Sequence, residues 1–286
     1  MNLIYLIGAG RSGTTILSLL LGNSDSVTSL GELHQLPEHM GLEGKCSCGQ
    51  LLSSCPYWSS VYSSLHNQFC SNIYKEQARE LESHRYVYKY LFSRDRALNY
   101  LEYRNATKNL FYELPEKNKY TVDSAKYIGR GLALNSIFKN NVQFIYLVRD
   151  PRGVVNSFGK KVQTSRGWFS ATAYYLIVNF TALLVCKTLL RSNHVKVRYE
   201  DLINDPDRTL TKLAGNLEIN LDEVKDKLSK GEGLRTGHLI GGNRLVQEPV
   251  VHFKNSDTWW TKMPRWKRWL VWLFTMPLNI ANGYKP

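Results

Sequence analysis

Leu3-Ile4-Tyr5-Leu6-Ile7 runs directly into Gly8-Ala9-Gly10-Arg11-Ser12-Gly13-Thr14-Thr15 and then into the Leu-rich stretch Ile16 to Leu21. The uninterrupted apolar run reads as a strand buried on both faces, and the stretch after the turn reads as a helix. A glycine-rich turn between them aims backbone N–H groups at an anion. The glycines permit the tight path, and the helix N-terminus adds the positive end of its dipole. Arg11, Ser12, Thr14 and Thr15 add a fixed charge and hydroxyl donors suited to phosphate or sulfate. A plain strand-to-helix turn is the alternative, but it needs fewer glycines and hydroxyls than are packed here.

Outward from this loop, Val27 to Leu30, Tyr120 to Val122, Val142 to Val148 and Val195 to Tyr199 form further short apolar runs, alternating with helical stretches. The alternation predicts an α/β fold: a single domain over 1–286 with a central parallel sheet flanked by helices. Between the second and third runs the chain is polar and helical in pattern, as in Lys75 to Arg85 and Tyr100 to Glu113. A mainly helical insertion is therefore expected at about 35–119, covering one end of the sheet, and a helical segment at about 257–286 ends the chain. Ala171 to Leu190 is apolar on nearly every face, which predicts a helix buried on most sides. Thr172, Asn179 and Thr181 argue against its being a membrane span.

The 286 residues suit one large domain or two small ones. Hydrophobic residues at 43% and charged residues at 21% exclude disordered and fibrous classes. Apolar runs fall short of the roughly 18–20 residues that cross a bilayer, and the N-terminus lacks a signal-peptide pattern. Five cysteines, an odd number, argue against a disulfide framework and for a reducing compartment, so a cytoplasmic location is expected. A formal charge of +13 favours an anionic partner: nucleic acid, an acidic membrane surface or a ligand with several phosphates.

Three ligand classes compete for the loop. Gly8, Gly10 and Gly13 satisfy G-x-G-x-x-G, with Glu32 at the expected place for a ribose-binding acid, which admits an NAD-dependent oxidoreductase. Gly8, Gly13 and Thr15 also fit the triphosphate-loop frame, but Thr14 stands where the lysine belongs, which disfavours a kinase or triphosphatase. In the third reading, Arg11 supplies the cation. A second motif bears on the choice. Val142 to Val148 ends in Arg149-Asp150-Pro151-Arg152-Gly153, followed by a helix carrying Ser157. Arg149 thus sits at a strand C-terminus, the ligand end of an open α/β sheet, with Ser157 two helical turns beyond.

Together these motifs resemble the sulfotransferase family, in its bacterial-type members and with some likeness to the tyrosylprotein sulfotransferase branch. The resemblance covers roughly residues 1 to 35 and 120 to 250. It implies a P-loop-like phosphosulfate-binding loop, with Arg11, Ser12, Gly13, Thr14 and Thr15 on the 5′-phosphosulfate of 3′-phosphoadenosine 5′-phosphosulfate (PAPS). Arg149 and Ser157 would hold the 3′-phosphate. Val197-Arg198-Tyr199-Glu200-Asp201-Leu202 would place Tyr199 on the adenine side, and His238 to Arg244 would close over the nucleotide, making Arg244 a further ligand. The implied reaction moves a sulfonate to an acceptor hydroxyl of a carbohydrate, lipid, tyrosine or small alcohol, leaving 3′-phosphoadenosine 5′-phosphate (PAP). It needs no metal and no nucleic acid partner.

Sulfonate transfer requires a base, cations on the developing charge and in-line positioning. The resemblance points to Glu32 as the base, with His34 as substitute, and to Lys126 with Arg11 as catalytic cations, Ser124 being an alternative to Lys126. Tyr57, Trp58 and Tyr62 in the insertion would suit a sugar face or a phenol. A non-enzymatic polyanion-binding module is the remaining alternative to these enzyme readings.

Cys46, Cys48, Cys55 and the more distant Cys70 raise the question of zinc. The C-x-C-x₆-C spacing lacks paired C-x₂-C knuckles, which disfavours zinc. The resemblance to bacterial-type sulfotransferases implies a metal-free loop element over the acceptor pocket, and a structural or redox-sensitive role stays open. Arg265-Trp266-Lys267-Arg268-Trp269-Leu270-Val271-Trp272-Leu273-Phe274 reads as a basic, aromatic helix. It either docks on the main domain through its tryptophans or rests on an acidic membrane.

Overall fold

The computed structural model describes residues 2–115, 118–160, 165–191, 193–242, 244–253 and 259–285. Strand β1 (Asn2–Ile7) leads through the glycine loop into α1 (Thr14–Gly22) and β2 (Val27–Ser29). The insertion then contributes α2 (Leu36–Gly41), α3 (Ser59–Cys70), α4 (Asn72–Glu82), α5 (Lys89–Phe92) and α6 (Leu101–Glu113). The chain returns to the sheet with β3 (Tyr120–Lys126), α7 (Ile128–Phe138), β4 (Val142–Val148), α8 (Pro151–Phe158), α9 (Trp168–Thr188) and β5 (His194–Arg198). Helices α10 (Tyr199–Asn204), α11 (Pro206–Leu217) and α12 (Asp222–Ser229) follow. A small hairpin of β6 (Leu234–Arg235) and β7 (Val250–Val251) precedes α13 (Trp259–Lys262) and α14 (Arg265–Ala281).

The five main strands run parallel in the order β2-β3-β1-β4-β5. Alternation along β1 explains the two-sided core. Leu3, Tyr5 and Ile7 pack with the insertion helices, α7, α8, α9 and α14, whereas Ile4 and Leu6 pack with α1, α10, α11 and α12. Because β1 is central and covered on both faces, it reads as a continuous apolar run.

This topology tells against the dinucleotide reading. In that fold the acidic residue ends a strand adjacent to β1. Here β3 lies between β1 and β2, so Glu32 follows a strand one place too far out.

Strand β3 continues past Val122 because its polar residues are paired internally. Asp123 is fully buried and accepts hydrogen bonds from Ala125 N (3.0 Å) and Arg130 Nε (2.8 Å). Arg130 also donates to Glu82 Oε1 at 2.6 Å, and Tyr103 Oη donates to the same oxygen at 2.8 Å. Burial opposes the Arg130 charge, but Asp123 and Glu82 outweigh it and raise the pKa. This buried triad fastens the insertion to the strand end that carries Lys126. Truncating one member would leave an uncompensated buried charge.

Helix α9 is less buried than the expected burial on most sides. Its length of 21 residues and mean hydropathy of 1.6 are enough to cross a membrane. One face, including Tyr175, Val178, Asn179, Ala182 and Val185, is buried, and Asn179 accepts a hydrogen bond from Tyr146 Oη at 3.0 Å. The other face leaves Phe169, Ile177, Phe180 and Leu184 exposed. Helix α14 packs on α8 and α9 and divides in the same way. Trp272 is buried, while Trp266, Trp269, Phe274 and Ile280 face outward. Trp168 and Trp266 meet edge to face, with ring centroids 5.9 Å apart. Only part of the tryptophan-rich segment therefore docks on the domain.

Candidate functional site

A cavity of about 610 Å³ opens at the C-terminal ends of the strands, lined by the glycine loop, the start of α1, the turn after β2, the end of β3 and the helix after β4. Its position follows from topology, because β1 sits between β3 and β4 and the loops leaving all three converge. Helix α1 begins at Gly13 with no side-chain cap and no acid in its first turn, so its N-terminal N–H groups and dipole face the opening uncompensated.

The loop conformation depends on two unusual backbone positions. Arg11 has φ 69° and Gly13 has φ 96°. Gly13 lies against the Tyr199 ring, where an added Cβ would come within 2.4 Å of Cδ2. That ring is buried and lies under Arg149, whose guanidinium carbon is 4.2 Å from the ring centroid. Gly13→Ala therefore meets both backbone strain and a ring with little freedom to move. Its expected cost is about 1–3 kcal/mol, read as a lower midpoint in thermal unfolding. A midpoint equal to that of the parent protein would contradict the close contact.

Arg149 Nη1 donates to Arg11 O at 3.0 Å, joining the strand-end arginine to the loop. The backbone around it is pinned from behind. Tyr175 Oη donates to Arg149 O at 3.0 Å, Glu200 accepts from Asp150 N at 2.9 Å, and Tyr284 donates to Glu200 at 2.6 Å. Asp150 caps α8 by accepting from Arg152 N, which sets the direction of the helix that brings Ser157 to the same cavity wall as Arg149. Arg149 and Ser157, separated in sequence by two helical turns, thus face one cavity.

Glu32 follows Gly31, whose φ of 78° and closeness to Ile240 O leave no room for a side chain. Glu32 N donates to Ile240 O at 2.7 Å and Ile240 N donates to Leu30 O at 2.9 Å, so the late loop holds the turn that presents Glu32. The Glu32 carboxylate is paired through Oε1 with Lys126 Nζ and accepts from Gln35 Nε2 through Oε2 at 3.0 Å. Lys126 itself has φ 72°. Burial lowers the Arg11 pKa, with the Glu32 carboxylate opposing that shift. The His34 pKa is pushed down to about 3 by burial first and then by Lys126 and Arg130. A histidine so shifted is neutral near pH 7 and a weak base.

Of the residues expected from sequence, Arg11, Gly13, Thr14, Thr15, Glu32, His34, Lys126, Arg149, Ser157 and Tyr199 all line the cavity. Ser12 does not. It is fully buried, its N–H bonds Ala9 O at 3.2 Å, and its hydroxyl has no partner among the described residues. The turn that makes the loop tight directs Ser12 into the protein. Ser124 is also absent from the wall; its N–H is spent on Gly31 O at 2.8 Å. The Arg244 side chain lies outside the described residues, although Gly242 from the same loop reaches the cavity.

Sequence reading missed Lys160 and Arg166, which add positive charge to the wall, and Tyr174, which accepts a hydrogen bond from Gly10 N at 2.9 Å. Arg166 stacks over Tyr174 at 4.8 Å. Neither cation lies in a recognisable motif, so only the fold assembles them. The described wall holds five cations, Arg11, Lys126, Arg149, Lys160 and Arg166, against the single carboxylate of Glu32.

A glycine-rich strand-to-helix loop and a strand-end arginine lie around a cation-lined cavity in an open parallel α/β fold. The sequence model of the Sulfotransferase family matches residues 4–223, and the chain belongs to that family. No curated protein sequence matches it. Among solved structures, the sulfotransferase domain of the Synechococcus PCC 7002 olefin synthase is 18% identical at a TM-score of 0.55, covering 99% of this chain and 95% of that one. The sulfotransferase domain from the curacin biosynthetic pathway is 19% identical at 0.56, covering 99% and 98%. A sulfotransferase from Alicyclobacillus acidocaldarius is 10% identical at 0.51, covering 99% and 96%. At these identities the likeness is one of fold.

Proposed function

We propose that the protein transfers a sulfonate from PAPS to an acceptor hydroxyl. The observation that carries this reading is the convergence of Arg11, Lys126, Arg149 and Ser157 on one cavity behind the α1 N-terminus. A donor with a phosphosulfate at one end and a 3′-phosphate at the other needs two separated anion sites joined by a nucleoside-sized space. The glycine loop with Thr14 and Thr15 suits the first, Arg149 with Ser157 the second, and Tyr199 the nucleoside between them. A general polyanion-binding module would carry its cations on an open surface; here they line a concavity.

Lys126 and Glu32 neutralise one another in the ligand-free protein. On donor binding the sulfonate competes for Lys126, and Glu32 is released to take the acceptor proton. The proton moves to Glu32, the acceptor oxygen forms the new bond to sulfur, and the bond from sulfur to the bridging oxygen breaks with its electrons remaining on the departing PAP phosphate. Lys126 and Arg11 offset the charge developing on that phosphate. No metal takes part in this step.

Two shallower hollows, of about 460 and 430 Å³, open on the insertion side, and both share His34 with the main cavity. The first, lined by α2 and α4, supports acceptor entry between those helices, and the second supports entry between the end of α4 and Tyr127. Incubation with PAPS and a panel of sugar, lipid and phenolic alcohols is expected to release PAP only when an acceptor is present. Release at the same rate without any acceptor would overturn the transferase reading.

The outward faces of α9 and α14 favour peripheral contact with an anionic lipid surface. Arg265, Lys267 and Arg268 flank the exposed Trp266 and Trp269, combining charge for the headgroups with rings for the interface. The protein is expected to sediment with phosphatidylglycerol vesicles and not with phosphatidylcholine vesicles, and the double variant W266A/W269A is expected to reduce that binding at least about tenfold. No binding to either vesicle would refute the contact.

A further inference from the structure

Cys46, Cys48, Cys55 and His238 converge where the insertion meets the late loop, with one ligand atom from each lying within 4.8 Å of the others. Cys48 Sγ is 3.7 Å from Cys55 Sγ, and His238 Nδ1 is 3.3 Å from Cys55 Sγ and 3.8 Å from Cys46 Sγ. Around a tetrahedral zinc ion, bond lengths of about 2.3 Å to sulfur and 2.0 Å to nitrogen put sulfurs about 3.8 Å apart and sulfur and nitrogen about 3.5 Å apart. The 3.7 Å sulfur–sulfur spacing and the 3.3 and 3.8 Å sulfur–nitrogen spacings lie close to those values, and all four ligand atoms lie within 4.8 Å of one another. A disulfide would hold its sulfurs at about 2.05 Å, and all five cysteines are free thiols.

The backbone is built to present these ligands. Cys46 N donates to Gln50 O and Gly49 N to Cys46 O, both at 2.9 Å, and Lys45 bridges Leu51, so Cys46 and Cys48 sit on one tight hairpin. Ser47, between them, is tied to the late loop: its N–H reaches Leu239 O at 3.1 Å, and its hydroxyl donates to Gly237 O at 2.9 Å and accepts from Leu239 N at 2.7 Å. The His238 ring stacks on Tyr57 with planes 11° apart, and Trp58 Nε1 donates to His238 O at 2.9 Å. The fourth ligand comes from a loop remote in sequence, which is why the cysteine spacing alone lacks a zinc signature.

We propose that Cys46, Cys48, Cys55 and His238 form a structural Cys₃His zinc site that fastens the insertion to the loop paired with Gly31, beside Glu32. This revises the expectation of a metal-free loop. Four protein ligands close the coordination sphere, which marks a structural site and leaves no position for substrate. On binding, three thiols give up their protons to solvent, and the zinc ion is held by three thiolates and one neutral imidazole. The soft thiolates select zinc over magnesium or calcium.

The test is elemental analysis of the full-length protein, purified without a chelator or a metal-affinity step. One equivalent of zinc is expected. Dialysis against a weak chelator is expected to strip Cys48→Ser, at an exposed ligand, but not Cys70→Ser, at a cysteine outside the cluster. Replacement by cobalt is expected to give the intense visible bands of a tetrahedral thiolate site, a readout independent of any variant's folding and of catalysis. Folded protein with no bound metal that takes up neither zinc nor cobalt, or a disulfide between any two of the three cysteines, would overturn the proposal.

Discussion

Glu32→Gln is expected to lower sulfonate transfer by about 10²- to 10⁴-fold, the range set by loss of a general base. Nucleotide affinity should hold or rise, because the substitution removes the negative charge that occupies Lys126. Glutamine keeps the size of the side chain and can still accept from Gln35, so the turn at Gly31 and its bonds to Ile240 should persist. His34 is a poor substitute as a base, since burial and two nearby cations push its pKa to about 3. The measurement is single-turnover transfer at saturating donor, alongside PAP titration. Near-parental transfer would remove Glu32 from the role, and a large loss of PAP affinity would make it an organiser of the loop.

Arg149→Ala carries the second large effect. Truncating one partner of a desolvated, hydrogen-bonded charge pair costs about 2–5 kcal/mol, or roughly 30- to several thousand-fold in affinity. The loss should fall on PAP, while binding of adenosine 5′-phosphate changes by no more than a few-fold. Arg149→Lys should be intermediate, keeping the charge but losing the planar fork that lies over Tyr199 and that, on the proposed reading, would meet the 3′-phosphate. Equal losses for the two nucleotides would mean that Arg149 acts through the loop, by its bond to Arg11 O, and not through a 3′-phosphate.

The strand–loop–helix unit at residues 3–21 and the strand ending at Arg149 were legible because both are local. An apolar run, a cluster of glycines and a charged residue at a strand end each leave a short, contiguous signal. Strand β3 was legible only to Val122, since Asp123 is tolerated inside a strand by Arg130 and Glu82, partners that tertiary packing alone supplies. Ser12 shows the limit of a motif, which gives residue types, whereas the bond of its N–H to Ala9 O decides which way the turn faces. Helix α9 reads in sequence as buried on most sides because its apolar composition conceals a real two-sidedness. Lys160, Arg166 and His238 are joined to their sites through space, and no spacing rule reaches them.

The donor site is the centre of the account, and calorimetric titration of the purified protein with PAP and with adenosine 5′-phosphate tests it most directly. PAP is expected to bind at least about tenfold more tightly, the preference that one well-made 3′-phosphate contact supplies. Equal affinity for the two nucleotides would contradict the assignment of Arg149 and Ser157 and, with it, the PAPS-dependent reading of the cavity.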